Sequence, residues 1–279
     1  MNLCLACRLF RCLLVALTVA LAPLMGLAQT SATVAAASDL KFAIEEVASV
    51  FSQETGHRLR LIFGSSGNFY SQLLQGAPFD LFMSADEAFV YKLAQSGKTK
   101  DTGRLYAYGR IGVIVPKGST IGVDSQLAGV SQALREGRLQ RFAIANPEHA
   151  PYGHRAKQAL QHAGIWESIA PRLVFGENVS QAAQFALSGS TQGGIIAYSL
   201  ALAPPVGNLG EFALIDESLH EPLAQRMVLM RDAAPAAQAF YDFLATPKAQ
   251  SIMQRWGFVM PEDSVRDKDS VQSQSASGS

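Results

Sequence analysis

The sequence predicts an α/β protein of two lobes, in which each lobe has a mixed, mainly parallel sheet flanked by helices and a ligand cleft lies between them. Short β-rich segments alternate with helical patterns, and this alternation favours parallel pairing. About nine strands are spread over the body between residues 32 and 261, and a body of this length favours two sheets over one. Ligand sites occur preferentially at such interfaces.

The first 28 residues are typical of a secretory signal peptide. Arg8 and Arg11 precede an apolar run, and small residues before Ala28 indicate cleavage after that residue. A membrane anchor is the alternative, but the run is short for a span and ends in a cleavable motif. Cys12 raises a lipoprotein alternative, which the charged Arg11 before it disfavours. We therefore expect export to the periplasm.

Composition narrows the function classes. All three cysteines lie within the predicted signal peptide, so the exported chain has no thiol for a disulfide or a cysteine metal site. Lys and Arg together number 23, as do Asp and Glu, and this balance gives no electrostatic footprint for nucleic acid. The polar, low-complexity segment 262–279 is predicted to be disordered.

The first elements alternate strand and helix. TVAAA at 33–37 is β-rich, and HRLRLIF at 57–63 alternates apolar and polar residues as a half-buried strand does. Between them runs a helix that Gly56 ends, and its apolar stripe consists of Leu40, Ile44, Val47, Val50 and Phe51. After a second helical pattern, a buried strand at 79–86 precedes a helix at 88–97.

Strands and helices continue to alternate after Arg110. A strand, a loop and a helix follow one another across 173–189, and the other predicted strands lie at 110–118, 141–147, 193–199 and 224–230. Two helical segments between 233 and 258 are separated by Pro247, which interrupts a helix. We predict lobe 1 at 32–110 and 226–261 and lobe 2 at 111–225, with the chain crossing between lobes near Arg110 and Arg226.

Four predicted loops join the end of a strand to the start of a helix. They contain Ser38, Ser66, the segment EHAPYG at 148–153 and the segment ENVSQ at 177–181. Backbone N–H groups at helix starts have no partner within the helix and carry partial positive charge, which suits an oxyanion. A serine before a helix is by itself typical of a cap, so only the set of four indicates a ligand site.

Several longer stretches match a known family in order along the chain. They are AAASDL at 35–40, FGSSGNFYSQLLQGAPFDLFMSAD at 63–86, ANPEHAPYG at 145–153, AGIWESIAPRLVFGENVSQA at 163–182 and WGF at 256–258. In these stretches the chain resembles the periplasmic molybdate-binding proteins of ABC transporters, which have the type II periplasmic-binding-protein fold. The resemblance covers nearly the whole body.

The resemblance implies a ligand and its donors. The ligand is molybdate or tungstate, which neutral hydrogen bonds hold without a paired cation, a cofactor or a metal-coordinating side chain. Donation is implied from Ser38 and Ser66 and from the backbone N–H groups of Tyr152 and Val179. The resemblance also implies delivery to an ABC transporter permease by a monomeric protein.

Three further residues are candidates at this site. Some family members place a binding tyrosine in the strand that contains GIIAYS, but Ala197 falls at that position and Tyr198 comes one residue later, on the other face of a strand. The Tyr152 side chain is an alternative donor. Asp39 would repel an anion, so we expect it to point outward at the helix start. Ser65 is an extra donor or a structural residue.

Other functions remain open on the residues alone. His149 and His154 with Glu148 suggest a metal site, but a loop with a proline lacks the helical i, i+4 spacing of a metal pair. A hydrolase could use a serine of GSSG, although this segment lacks the G-x-S-x-G spacing. The chain could also bind another oxyanion, such as sulfate, thiosulfate or phosphate, or serve as a non-transport sensory protein.

Overall fold

The computed structural model describes residues 31–261 and contains two five-stranded sheets. The predicted signal peptide 1–28 and tail 262–279 lie outside the described residues. The first sheet has the order β2-β1-β3-β10-β4, and its strands are β1 Ser31–Ala37, β2 Arg58–Gly64, β3 Leu81–Ser84, β4 Arg104–Gly109 and β10 Leu223–Leu229. The second has the order β7-β6-β8-β5-β9, and its strands are β5 Ile111–Pro116, β6 Phe142–Ala145, β7 Leu173–Gly176, β8 Gly194–Ala197 and β9 Gly210–Leu214.

Helices flank both sheets. Three short 3₁₀ turns occur at Ser38–Leu40, Ala170–Arg172 and Glu217–Leu219. The α-helices are α1 Lys41–Thr55, α2 Ser66–Leu74, α3 Glu87–Gln95, α4 Ala128–Arg135, α5 Pro151–His162, α6 Trp166–Ile169, α7 Val179–Leu187, α8 Tyr198–Ala201, α9 Pro204–Gly207, α10 Pro235–Phe243 and α11 Pro247–Arg255. None of the helices between residues 31 and 261 has the length and apolar character that crossing a membrane requires.

The predicted fold class of two mixed, helix-flanked sheets is confirmed. The strand pairings are more balanced than the expected mainly parallel arrangement, because each sheet has two parallel and two antiparallel pairs. Strands β3 and β6 are buried along their whole length, as expected for strands with covering layers on both faces.

The sequence analysis missed two strands, β4 and β9, and placed the return of the chain to the first sheet a few residues too late. Strand β4 ends at Gly109 and β5 begins at Ile111, so the strand predicted at 110–118 corresponds to β5, and β4 directly before it was missed. Strand β9 is a half-buried edge strand with little apolar signal. The chain returns to the first sheet before Leu223, which pairs with Gly109. Our prediction of a return near Arg226 was therefore too late, since Arg226 lies within β10.

Strand register brings the ligand-facing loops together. In the first sheet Ala37 pairs with Gly64, so the loops that follow β1 and β2 start side by side. In the second sheet Ala145 pairs with Gly176, which does the same for the loops that follow β6 and β7. Carboxyl ends of parallel strands are the usual ligand edge of an open α/β sheet. Both sheets present this edge to the space between them.

Candidate functional site

A small cavity lies where these four loops meet between the lobes. The space open to the centre of a water-sized sphere is about 10 Å³, roughly that of one bound water. Such a cavity suits a small inorganic ion better than a sugar or an amino acid. The cavity is lined by Ala37, Ser38, Asp39, Gly64, Ser65, Ser66, Ala85, Ala150, Pro151, Tyr152, Asn178 and Val179. No Lys, Arg or His is among these lining residues.

Two serine hydroxyls at the cavity accept a backbone hydrogen bond. Ser66 is fully buried, and its Oγ accepts the N–H of Ala85 at 3.0 Å. Ser38 Oγ accepts the N–H of Ser180 from the other lobe at 3.3 Å. A hydroxyl has one proton to donate besides its acceptor lone pairs. Both hydroxyl protons therefore stay available for a ligand in the cavity.

Helix starts supply further donors from the second lobe. Tyr152 and Val179 lie in the first turns of α5 and α7, where backbone N–H groups have no partner within the helix. The side chain of Asn178 caps α7 by accepting the N–H groups of Ser180 and Gln181, but not that of Val179. A Cβ on Gly153 would come within 2.2 Å of the Ala145 carbonyl oxygen, so this glycine allows α5 to start close to β6.

The expected outward position of Asp39 is wrong. Its side chain is only 1% exposed, and its Oδ2 accepts a hydrogen bond from the Tyr152 hydroxyl at 2.9 Å and another from Gln225 Nε2 at 2.7 Å. Burial raises the pKa of the Asp39 carboxyl to about 6, although the bonds from Gln225 and Tyr152 and the backbone N–H groups of Asp39 and Leu40 oppose the rise. The helix-dipole argument failed because it considered only the local chain, whereas both partners are distant in sequence.

Polar contacts join the two lobes around the cavity. The N–H of Gly67 donates to the His149 carbonyl at 2.9 Å, and Ser65 Oγ hydrogen-bonds His149 Nδ1 at 3.0 Å. Asn68 donates to Glu177, whose Oε2 lies 3.9 Å from His149 Nε2. Ser65 Oγ also accepts the Asn68 N–H and caps α2. Ser65 thus lines the cavity, but its hydroxyl serves the helix and the lobe contact.

A buried ion pair adds to this closure. Arg155 on α5 is 7% exposed and lies 3.5 Å from Asp86 of the first lobe. Its guanidinium also donates to the carbonyl of Pro222, just before β10. Within residues 31–261 no group of three or more His, Cys, Asp or Glu side chains is arranged to hold a metal ion. The contacts of His149 and His154 are instead with Ser65, Glu177 and Arg155.

Tyr198 is not brought to the cavity. Its ring stacks on Phe212 with centroids 5.5 Å apart, and the Arg110 guanidinium lies 4.8 Å above it. A Cβ on Gly257 would meet the same ring at 2.5 Å. Tyr198 therefore packs against Phe212 and Arg110, away from the cavity. The cavity is lined by the other six candidates, Ser38, Asp39, Ser65, Ser66, Tyr152 and Val179.

Sequence reasoning missed the residues that hold Asp39. Gln225 is fully buried in β10, and its Oε1 accepts a hydrogen bond from the Tyr106 hydroxyl at 2.7 Å. Gln225 alternates with Leu223 and Met227 on the buried face of β10, and a buried glutamine needs hydrogen-bond partners. That polar position in LAQRMVL was the one available signal, and it did not name the partner.

The fold and cleft define a two-lobed solute-binding protein. Residues 32–259 match the family of bacterial extracellular solute-binding proteins, and the chain belongs to this family. It is 34% identical to the molybdate-binding protein ModA of Rhodobacter capsulatus over 247 residues, covering 86% of this chain and 94% of that protein. It is 35% identical to ModA of Azotobacter vinelandii over 228 residues, covering 81% and 88%.

A solved structure agrees with these sequence matches. The periplasmic molybdate-binding protein of Azotobacter vinelandii superposes with a TM-score of 0.74 at 30% identity, covering 82% of this chain and 99% of that one. The resemblance inferred from the quoted motifs is thereby confirmed. The relatives are named as binding proteins, and their names describe no catalysis.

Proposed function

We propose that this protein captures molybdate or tungstate outside the cytoplasm and delivers it to an ABC transporter permease, without catalysing a reaction. One observation carries the proposal: the small cavity between the lobes is lined by hydroxyl and backbone N–H donors and by no basic side chain, and Asp39 is the single carboxylate among its lining residues. The names of the relatives supply the identity of the oxyanion. The predicted signal peptide supports a periplasmic location.

The donors in the proposed site are Ser38, Ser66, Tyr152 and Val179. Hydrogen bonds to a charged group are about twice as strong as neutral ones, and preorganised helix starts donate them without rearrangement. Because two of these residues belong to each lobe, the anion binds the closed state better than the open state and shifts the population toward closure. The closed monomer is then the form that a permease recognises.

Size supplies selectivity in this proposal. Fixed backbone donors on both sides set the separation of the two lobes around the ion, so a smaller oxyanion such as sulfate leaves some donors unpaired. An unpaired buried donor costs about 1–3 kcal/mol.

Isothermal titration tests this assignment. The chain from Gln29 onward, purified free of anions, is titrated with molybdate, tungstate, sulfate and phosphate. We expect one-to-one binding of molybdate or tungstate and no heat from sulfate or phosphate. Selective binding of sulfate or phosphate would reassign the ligand, and silence with all four anions would favour a sensory role. N-terminal sequencing of the periplasmic form, expected to start at Gln29, tests export.

A further inference from the structure

The buried carboxylate of Asp39 has no place in a site made of donors alone. It lines the cavity next to Ser38, and its Oδ2 already accepts two hydrogen bonds, from Tyr152 and Gln225. Its Oδ1 is buried without a hydrogen-bond partner. An unpartnered buried polar atom is rare in a folded protein and calls for an explanation.

The groups that face Asp39 are neutral. Tyr152 comes from α5, Gln225 from β10 and Tyr106 from β4, and burial raises the pKa of both tyrosines, so they remain protonated. Ser180 of α7 and Ser199 of α8 bond to the backbone carbonyls of Ser38 and Asp39.

No counter-charge balances the Asp39 carboxylate. Lys41, two residues after Asp39, places its Nζ 5.6 Å from the centre of the Phe42 ring. No Lys, Arg or His among residues 31–261 forms an ion pair with Asp39. A buried charge without a partner is costly, and such a group becomes neutral instead. Burial already raises the pKa of Asp39 to about 6, and a second negative charge in the same cavity raises it further.

We propose that Asp39 takes up a proton when the oxyanion binds, so that the loaded cleft holds Asp39 as a neutral carboxylic acid. The proton comes from solvent and resides on Oδ1, the oxygen without a partner, while Oδ2 keeps its bonds from Tyr152 and Gln225. The new O–H is a donor and joins the serine hydroxyls and backbone N–H groups. This inference rests on the proposed function and adds that capture of one anion is coupled to one proton.

The coupling has a defined sign. In the open protein Asp39 is ionised at neutral pH, so a proton must be taken from solvent when the anion binds, and the affinity falls as pH rises. Between the pKa of the unliganded form and that of the loaded form, the dissociation constant rises about tenfold per pH unit, which is the limit for one proton. Asp39→Asn keeps the shape and the acceptor oxygen but never titrates.

Titration calorimetry with molybdate in buffers of different ionisation enthalpy counts the protons directly. At pH 7.5 we expect uptake of about one proton per anion by the wild-type chain and about none by D39N. The matched control is Asp86→Asn, which neutralises another carboxylate at the lobe interface, beside Arg155. D86N binds more weakly but keeps the proton uptake. Across pH 7–8.5 the affinity of D39N stays flat.

Each result decides one way. Tight wild-type binding with no proton uptake, or uptake that persists in D39N or vanishes in D86N, overturns the inference and leaves the proposed function standing. No binding of any oxyanion by either wild type or D39N removes the proposed function and this inference with it. If D39N does not fold, the ¹³C carboxyl resonance of Asp39 in wild-type protein decides: a shift to the protonated position on adding molybdate supports the inference, and no shift overturns it.

Discussion

Replacing Ser66 by alanine tests whether the buried hydroxyl holds the anion. In the structure Ser66 Oγ accepts the Ala85 N–H, so its proton is the part that a ligand can use. Loss of the acceptor leaves the Ala85 N–H unpaired in both the free and the loaded protein. That cost, about 1–3 kcal/mol for a buried donor, lowers stability but cancels in the binding equilibrium.

The loss in affinity comes from the donated hydrogen bond. A hydrogen bond to a charged group contributes about 1.5–3 kcal/mol, so the dissociation constant of Ser66→Ala should rise roughly 10- to 150-fold. Calorimetry with molybdate gives the affinity, and urea unfolding without the anion gives the stability. The two measurements separate the donated bond from the accepted one.

Ser71→Ala is the matched control. Ser71 lies on the same helix and donates to the Gly67 carbonyl at 3.1 Å, but it does not line the cavity. Its affinity should stay within about twofold of wild type. An unchanged affinity for Ser66→Ala, with the expected loss of stability, would place Ser66 outside the ligand shell and refute the reasoning.

Three further predictions follow from the same structure. In Gly67→Ala the new Cβ would lie 2.5 Å from the His149 carbonyl oxygen of the other lobe, so calorimetry should show at least about tenfold weaker binding with no loss of unliganded melting temperature. Gly122→Ala, whose Cβ has its nearest neighbour at 4.0 Å, should bind normally. Tyr198→Phe should leave molybdate affinity unchanged, because the ring packs on Phe212 away from the cavity, and a large loss would place its hydroxyl at the ligand. Partial burial raises the pKa of Asp124, but hydrogen bonds from the N–H groups of Gly129, Ala128 and Gln126 outweigh it and lower the pKa below its usual value. The carboxylate therefore stabilises the fold at pH values above its unfolded-state pKa, and this stabilisation is lost as pH falls through its folded-state pKa. Asp124→Ala removes these hydrogen bonds and should cost about 0.5–1.5 kcal/mol at pH 7 and little in strong acid. Urea unfolding at both pH values measures the cost, and an equal cost at both would show that the charge of Asp124 does not stabilise the fold.

Local patterns predicted the parts of the site that depend on local structure. A helix start after a strand is encoded within a few residues, which is why Ser38, Ser66 and the segments 148–153 and 177–181 could be selected from local patterns. The family resemblance then pointed to Tyr152 and Val179 within the two segments, and all four residues lie at one cavity. The position of Asp39 depends on Gln225, 186 residues later. The periodicity of strands and helices in a sequence does not reveal a partner so far away. The helix-dipole argument therefore gave the wrong direction for the Asp39 side chain.

The same limit explains the elements that were missed or misplaced. Strands β4 and β5 are separated only by Arg110, and the sequence between residues 104 and 116 does not show that the two strands belong to different sheets. The return at Leu223 is likewise fixed by pairing with Gly109, a contact between distant parts of the chain. A buried central strand can be predicted from its apolar residues. The sheet to which a strand belongs depends on pairing between distant parts of the chain, which the local sequence does not show.

In the proposed function, Tyr152 links ligand capture to lobe closure. Its backbone N–H belongs to the first turn of α5, at the cavity, while its hydroxyl crosses to Asp39 of the first lobe at 2.9 Å. A ligand that fixes the start of α5 therefore also fixes the phenol that joins the lobes. If the lobes open, Asp39 loses this bond and regains water, so its carboxylate becomes stable as an anion. If Asp39 is protonated in the loaded cleft as proposed, opening favours loss of that proton, and the returning negative charge favours release of the oxyanion.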